Sequence, residues 1–449
     1  MTVGHLDKQS LHRASVTETA PGPSDYEQYL LELINRARAD PAGEAARYGI
    51  DLNEGLEPGT ISSDPKQPLA PNTDLVNGAR GHSQWMIDND IFSHTGANGS
   101  SPGDRMTAAG YDFLPSWSWG ENIAWYGQTL TAPPALSTTA TLHQSLFVDA
   151  GVDGRGHRLN LMKSDFREVG PGIVFGDYSG YNAEMVTEDF AYTATPASAS
   201  FLTGVVYDDH RVSRDSFYTP GEGFGGATIT ATRASDGAAF QTTTWSSGGY
   251  SLALPAGTYD LTASGGGLSA NITVGSVPMG QSNVKVDFTE EHPLSPVYRF
   301  WSNSLNGHFY TISVAERDKL INRYSNVWTY EGPVYYAFAS GQEPAGTIPV
   351  YRFWSDTLGG HFYTTSAGER DKLINKYASI WAYEGPVYSV YADDGQQPSE
   401  TLPVFRFWSD TYRHHFYTIS SAERDKLINK FSNVWTYELI AWYTYPYVS

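Results

Sequence analysis

Between residues 295 and 449 one pattern is written three times. Val297-Tyr298-Arg299-Phe300-Trp301-Ser302 returns as Val350-Tyr351-Arg352-Phe353-Trp354-Ser355 and as Val404-Phe405-Arg406-Phe407-Trp408-Ser409. His308-Phe309-Tyr310-Thr311 returns from His361 and from His415, 53 and then 54 residues on. A Glu-Arg-Asp-Lys-Leu-Ile-Asn stretch follows in each copy, from Glu316, Glu369 and Glu423, and then a Trp-x-Tyr-Glu run from Trp328, Trp381 and Trp435. Each copy reads as strand, tight turn, strand, short helix, then one or two strands. A unit this short cannot bury its apolar face alone, so the copies must pack on one another. Three are too few for a propeller of four to eight blades. The expectation is a β-trefoil-like closure around a pseudo-threefold axis, with a linear array as the alternative. Phe300, Trp301, Phe309 and Trp328 and their copies are the expected core. The aromatic density also suits sugar stacking, so His308, His361 and His415 are candidate ligand-binding residues and a glycan or cell envelope the candidate partner. The other reading of these histidines is a bond to the repeated Glu or Arg.

The remaining chain divides by texture. Residues 1–23 end in Pro21-Gly22-Pro23 and read as a flexible leader, residues 24–195 mix helical and strand patterns, and residues 200–290 are rich in Gly, Thr and Ser. A length of 449 residues exceeds one core, so several domains are expected. Charged residues make up only 17% and aromatics 14%, which favours β-rich packing. The net charge of −20 argues against nucleic acid or an anionic membrane as partner. There is no cysteine, so disulfides and thiolate metal ligands are excluded. No run of about 18 apolar residues is present, so no transmembrane segment is expected. Residues 1–23 also lack the apolar stretch of an ordinary signal peptide.

In residues 24–195, Tyr29, Leu30, Leu33, Ile34 and Ala37 recur at helical spacing. Asp40-Pro41 should stop or kink that helix, because the residue before proline avoids the α region. A second helix is expected from Asn72, as N-cap, to Asp90, and a third over Thr138–Asp149. Strands are expected over Val169–Phe175 and Ala183–Ala191. Three polar residues stand beside Gly, Ser or Asn, where backbone turns present side chains: His94, Glu121 and His157. Two imidazoles and a carboxylate can hold a divalent metal or pair a base with an orienting acid. His82, on the second helix, is either a ligand-binding residue or a buried groove histidine.

Four segments carry a resemblance to a known family. Glu32-Leu33-Ile34-Asn35-Arg36-Ala37-Arg38, Phe92-Ser93-His94-Thr95, Gly120-Glu121-Asn122-Ile123-Ala124 and Gly156-His157-Arg158-Leu159-Asn160-Leu161 resemble, in this order, the bacterial branch of the CAP superfamily (cysteine-rich secretory, antigen 5 and pathogenesis-related 1 proteins). The resemblance implies an α-β-α sandwich with an open cleft, in which His94, Glu121 and His157 match the cleft residues; Asn122, beside Glu121, is a further candidate ligand-binding residue. Members are mostly extracellular, some bind a divalent metal through the two histidines, and some bind sterols or other lipids. No general enzymatic activity is implied. The family's second cleft Glu, shortly before the second His, is missing; Asp149 or Asp153 is the candidate substitute.

Residues 200–290 carry short β patterns over Leu202–Tyr207, Ala227–Thr232, Tyr250–Leu254, Thr258–Thr262 and Val284–Phe288. They read as a small prealbumin-like or immunoglobulin-like sandwich serving as a spacer. Gly204-Val205-Val206-Tyr207-Asp208 and Gly249-Tyr250 with Gly257-Thr258-Tyr259 resemble carboxypeptidase-regulatory-like and bacterial surface B-type repeat domains. Asp208 and Glu222 are candidate calcium ligands. An ordinary solvated loop is the alternative, since Arg211 and Arg214 add positive charge there. The repeats at 295–449 resemble an uncharacterised bacterial family built on His-Phe-Tyr-Thr.

Three functions follow as expectations. The first is a secreted, extracellular binding protein with a lipid, small-molecule or metal cleft and a carbohydrate-binding C-terminal module. The second is a metal-assisted hydrolase, with zinc as the candidate ion on His94 and His157 and with Glu121 and Asp149 as catalytic acids or bases. The third is a structural cleft whose polar groups only hold the fold. Serine or cysteine nucleophiles have no support, since cysteine is absent and no Gly-x-Ser-x-Gly elbow stands out.

Overall fold

The computed structural model describes residues 22–193 and 200–447. Of the expected leader over residues 1–23, residues 1–21 fall outside these residues, while Gly22 and Pro23 are described and buried; the expected join near Thr195–Ser200 also falls outside, apart from Ser200 itself. Two compact units are present: one holds the described residues up to Tyr207 together with Tyr218–Glu290, the other Asp208–Phe217 and the residues from Glu291 onward.

The first unit begins with α1 (Asp25–Ala39). Ser24 and Glu27 form a reciprocal capping box at its start. Asp40 then ends α1 and caps α2 (Pro41–Arg47) through the Gly43 amide, so Asp40-Pro41 does stop the first helix. The short β1 (Ala70–Pro71) leads into α3 (Thr73–Asn89), whose N-cap is Asn72 and whose left-handed C-cap is Asp90. There follow α4 (Pro102–Ala109), β2 (Trp117–Gln128), α5 (Ala135–Val148), α6 (Gly156–Met162), β3 (Glu168–Tyr178) and β4 (Tyr181–Thr193).

The sheet runs β1-β3-β4-β2, so β2 is an edge strand. Leu30, Ile34, Leu146, Phe147 and Leu161 of α1, α5 and α6 pack on one face, against Ala124, Val186 and Phe190. Leu75, Met86 and Ile87 of α3 and Met106 of α4 cover the other, against Ile123, Met185 and Ala191. This is the expected α-β-α sandwich. α3 lies so close to β3 that a Cβ on Gly172 would stand 2.2 Å from the Arg80 nitrogen, so glycine is required there.

The same unit continues into a sandwich. β5 (Ser200–Tyr207) pairs with β8 (Gly249–Leu254) and, in parallel, with the short β11 (Val284–Lys285) and β12 (Phe288–Thr289). The facing sheet is β10 (Ile272–Met279), β9 (Gly257–Gly265), β6 (Ala227–Arg233) and β7 (Ala239–Thr243). The single strand expected over Val284–Phe288 is therefore two short ones, and β7 and β10 were not anticipated. The sandwich is bound to the preceding layers: Asn283 donates to the Pro68 and Arg167 carbonyls at 3.0 and 2.7 Å, and Lys285 pairs with Glu32 at 2.8 Å. A detached spacer would not make these bonds.

The second unit contains the repeats. Each has two hairpin strands, a helix and a returning strand: β13 (Leu294–Ser302), β14 (Gly307–Thr311), α7 (Val314–Arg323) and β15 (Thr329–Phe338); β16 (Thr347–Ser355), β17 (Gly360–Thr364), α8 (Ala367–Lys376) and β18 (Ala382–Tyr391); β19 (Leu402–Ser409), β20 (His414–Thr418), α9 (Ser421–Lys430) and β21 (Thr436–Thr444). The copies close cyclically. The Tyr310 amide donates to the Tyr363 hydroxyl, that of Tyr363 to the Tyr417 hydroxyl, and that of Tyr417 to the Tyr310 hydroxyl, at 2.9, 3.1 and 3.1 Å. Each hydroxyl also donates to the carbonyl of the tyrosine whose amide it accepts from. A linear array would leave its two ends without this bond. The unit has three strands and a helix, not the four strands of a trefoil unit, so the expected threefold closure forms from a different unit. The axis is filled by tyrosines, while Trp301 and Trp328, expected in the core, are only partly buried.

Candidate functional site

The edge strand β2 presents consecutive residues to opposite faces of the sheet. Glu121 points to the α3 side and Asn122 to the α6 side. Each anchors one histidine, and the two imidazoles meet with ring centroids 6.4 Å apart.

His94 comes from the segment after α3. Its Nδ1 lies 2.8 Å from Glu121 Oε1, and the other Glu121 oxygen accepts from Arg105 of α4. Arg105 also donates to the His94 carbonyl at 3.0 Å. Glu121 is buried and sits mid-strand, not at the turn expected from its neighbours. Gly120 is there because a Cβ would come within 2.7 Å of Asn160 Oδ1. The partner of Glu121 in β4 is Asp189, fully buried, with no donor reaching either oxygen. Burial, reinforced by the Glu121 carboxylate, pushes Asp189 well above the usual carboxylate range.

His157 lies in the first turn of α6. Its Nδ1 is 2.7 Å from Asp149 Oδ1, and its amide donates to Asp149 Oδ2 at 2.9 Å. Asp149 is the left-handed C-cap of α5. Of the two candidate substitutes for the missing Glu, Asp149 is the one at His157. Although burial opposes it, bonds from His157 and the amides of His157 and Arg158 hold the Asp149 carboxyl below its usual range. The fully buried Arg158 fixes this loop, donating to the carbonyls of Phe147 at 2.7 Å and of Leu52 and Glu54 at 3.0 Å.

Neither Nε2 of His94 or His157 has a hydrogen-bond partner among the described residues. A carboxylate on Nδ1 fixes each ring with Nε2 as the free donor atom to a metal, the arrangement typical of metal-binding imidazoles. The donor set therefore fits a divalent cation, with two protein ligands.

His82 and Asn122 turn inward. His82 is buried and its Nε2 lies 2.9 Å from the Ser93 carbonyl, so it holds the residue before His94 and does not face a ligand. Asn122 is also buried; its amide donates to Glu188 at 2.9 Å and the His157 carbonyl at 3.3 Å, and it accepts from Asn160 at 3.0 Å. Both position the cleft from behind. Arg105, Asn160, Glu188 and Asp189 were not singled out from sequence. The acids of β4 are plain in the sequence, but only the pairing of β4 with β2 places them beside Glu121 and Asn122.

In the repeats, His308, His361 and His415 lie 3.5, 3.5 and 3.4 Å from Glu331, Glu384 and Glu438. Each ring is wedged between a tryptophan of its own copy and a phenylalanine of the preceding one in the ring. Asp208 accepts from the His210 amide at 2.9 Å and lies 3.3 Å from His292 Nε2. Glu222, in the other unit, accepts from the Thr219 amide at 2.8 Å.

Residues 31–190 match the family described as the cysteine-rich secretory protein family, CAP. This segment is a CAP domain. Residues 217–290 match the carboxypeptidase regulatory-like domain, and residues 290–445 a domain of unknown function, DUF5648. A relative of the CAP domain is the uncharacterized protein YkwD of Bacillus subtilis (strain 168), 28% identical over 163 residues, or 36% of this chain and 48% of that protein. The chain thus spans about half the length of that relative. Among solved structures, an extracellular protein containing an SCP domain from Bacillus anthracis is 24% identical, over 37% of this chain and 39% of that one, with a TM-score of 0.24. NaASP2, solved with Zn2+, is 13% identical over 37% of this chain and 76% of that one, also with a TM-score of 0.24. No helix among the described residues is long and apolar enough to cross a membrane.

Proposed function

We propose that this is a secreted binding protein whose CAP domain takes a divalent metal, zinc in the first instance, between His94 and His157, and whose repeats attach it to a glycan. The observation that carries the metal reading is the pair of imidazoles, each held at Nδ1 by a buried carboxylate and each with Nε2 free. Two protein ligands leave a tetrahedral ion incomplete. The remaining positions suit donor atoms of a small molecule or lipid headgroup, so metal and ligand would bind together.

Binding is favoured over hydrolysis. A hydrolytic zinc site normally has three protein ligands and a free base. Both oxygens of Glu121 are engaged, by His94 and Arg105, and both of Asp149 by His157 and neighbouring amides. Neither is left over to take a proton from water.

Zinc titration of the full chain by calorimetry tests this. Saturable one-to-one binding is expected, lost in His157→Ala and in His94→Ala. Equal heats in wild type and both variants, or none in wild type, would remove the metal reading.

A further inference from the structure

The three seams between repeats are built alike. At the first, Arg352 reaches both oxygens of Glu316 in the preceding repeat at 3.0 and 3.1 Å and Glu384 in its own at 2.7 Å, with its guanidinium 5.2 Å from the centre of Phe309. At the second, Arg406 reaches Glu369 at 3.0 and 3.1 Å and Glu438 at 2.8 Å, over Phe362. At the third, which closes the ring, Arg299 reaches Glu423 at 3.2 and 3.3 Å and Glu331 at 2.7 Å, over Phe416. At the first seam a pocket of about 310 Å3 opens on this cluster, lined also by Lys319, Leu320, Tyr324 and Trp328.

Resting on the glycan reading above, we infer that each seam is a subsite for one ring of an uncharged sugar. The aromatic faces of Tyr324 and Trp328 suit the apolar face of a pyranose, and Tyr324 is 44% exposed. The Glu316 and Glu384 side chains, 37% and 33% exposed, keep lone pairs for sugar hydroxyls while Arg352 fixes their direction. Two cations, Arg352 and Lys319, balance these two carboxylates. Burial pushes His361 down to about 3, so at neutral pH it adds no charge. The pocket has no surplus cation for a sulfated or phosphorylated sugar. Its volume is at the low end for ligand pockets, which fits one ring of a chain. Three such seams on one ring would bind a displayed polysaccharide with avidity. The third seam carries Phe431 where the others have Tyr324 and Tyr377, so the flat ring face is kept at all three.

The test is calorimetry of the full chain against cello-, malto-, manno-, xylo- and chitohexaose, with a heparin hexasaccharide as the charged comparison. At least one uncharged hexaose should bind with more than one site per chain. The variant Tyr324→Ala/Tyr377→Ala/Phe431→Ala should lose at least tenfold in affinity, while Tyr324→Phe/Tyr377→Phe keeps the flat faces and the binding; far-UV circular dichroism checks that both fold. Unchanged affinity in the alanine variant would overturn the seam assignment and leave the glycan reading standing. Tighter binding of the heparin fragment would overturn the uncharged class. No binding by any of the six would overturn both.

Discussion

His157 is held by Asp149 twice, at its ring Nδ1 and at its backbone amide, 2.7 and 2.9 Å away. One carboxylate thus sets both the rotation of the ring and the first turn of the helix that carries it. Asp149→Asn keeps the size but loses the charge that fixes the tautomer. Zinc affinity should fall about 10–100-fold, as for lost outer partners of metal-bound imidazoles. Calorimetry reads the loss, and an unchanged melting temperature would separate it from unfolding.

Glu184 and Glu188 are both fully buried on β4, and burial raises both to about 7. In the unfolded chain they ionise near 4.5. Between those values the folded state binds more protons, so stability falls as pH rises and the loss is complete above about 7. The cost is of order 3 kcal/mol for each group. Glu184→Gln and Glu188→Gln should each flatten the melting profile between pH 5 and 8 and raise the melting temperature at pH 8. A profile as steep as that of wild type would contradict this.

Arg158 satisfies carbonyls from two separate segments, Phe147–Val148 and Leu52–Glu54. Arg158→Met would strand these buried acceptors. A destabilisation of about 3 kcal/mol or more is expected in urea unfolding. Because the same loop places Asp149, zinc binding should weaken even where the variant still folds.

Tyr310→Phe removes a hydroxyl that serves both the amide and the carbonyl of Tyr417. Two buried backbone groups lose their partner, at a cost of about 3 kcal/mol in urea unfolding. Tyr298→Phe, at a partly accessible hydroxyl bonded to Arg317, should cost less than about 1 kcal/mol.

What could be read in advance was whatever a local pattern specifies. Asn72 caps α3, Asp40-Pro41 divides two helices, and the cleft histidines stand in short motifs. The threefold repeat left closure and a linear array both open, and the cyclic tyrosines decide for closure. Hidden features depend on which strands become neighbours. Asp189 matters because β4 pairs with β2 and places it opposite Glu121. Glu121 looked like a turn residue because Gly120 and Asn122 flank it, yet those residues serve close packing and a buried hydrogen-bond network. Arg352 belongs visibly to its own repeat, but nothing local says that it reaches back to Glu316.

The ring of tyrosines also sets an order of events. Tyr310 and Tyr417 are 107 residues apart. A chain emerging from the ribosome holds the first repeat open until the last is made, several seconds later at ordinary synthesis rates. Until then the Tyr310 hydroxyl lacks its two partners on Tyr417 and the first hairpin has an exposed flank. The last repeat acts as a latch. Losing it would remove two of three junctions at once, so the assembly should form in one all-or-none step and not accumulate repeat by repeat.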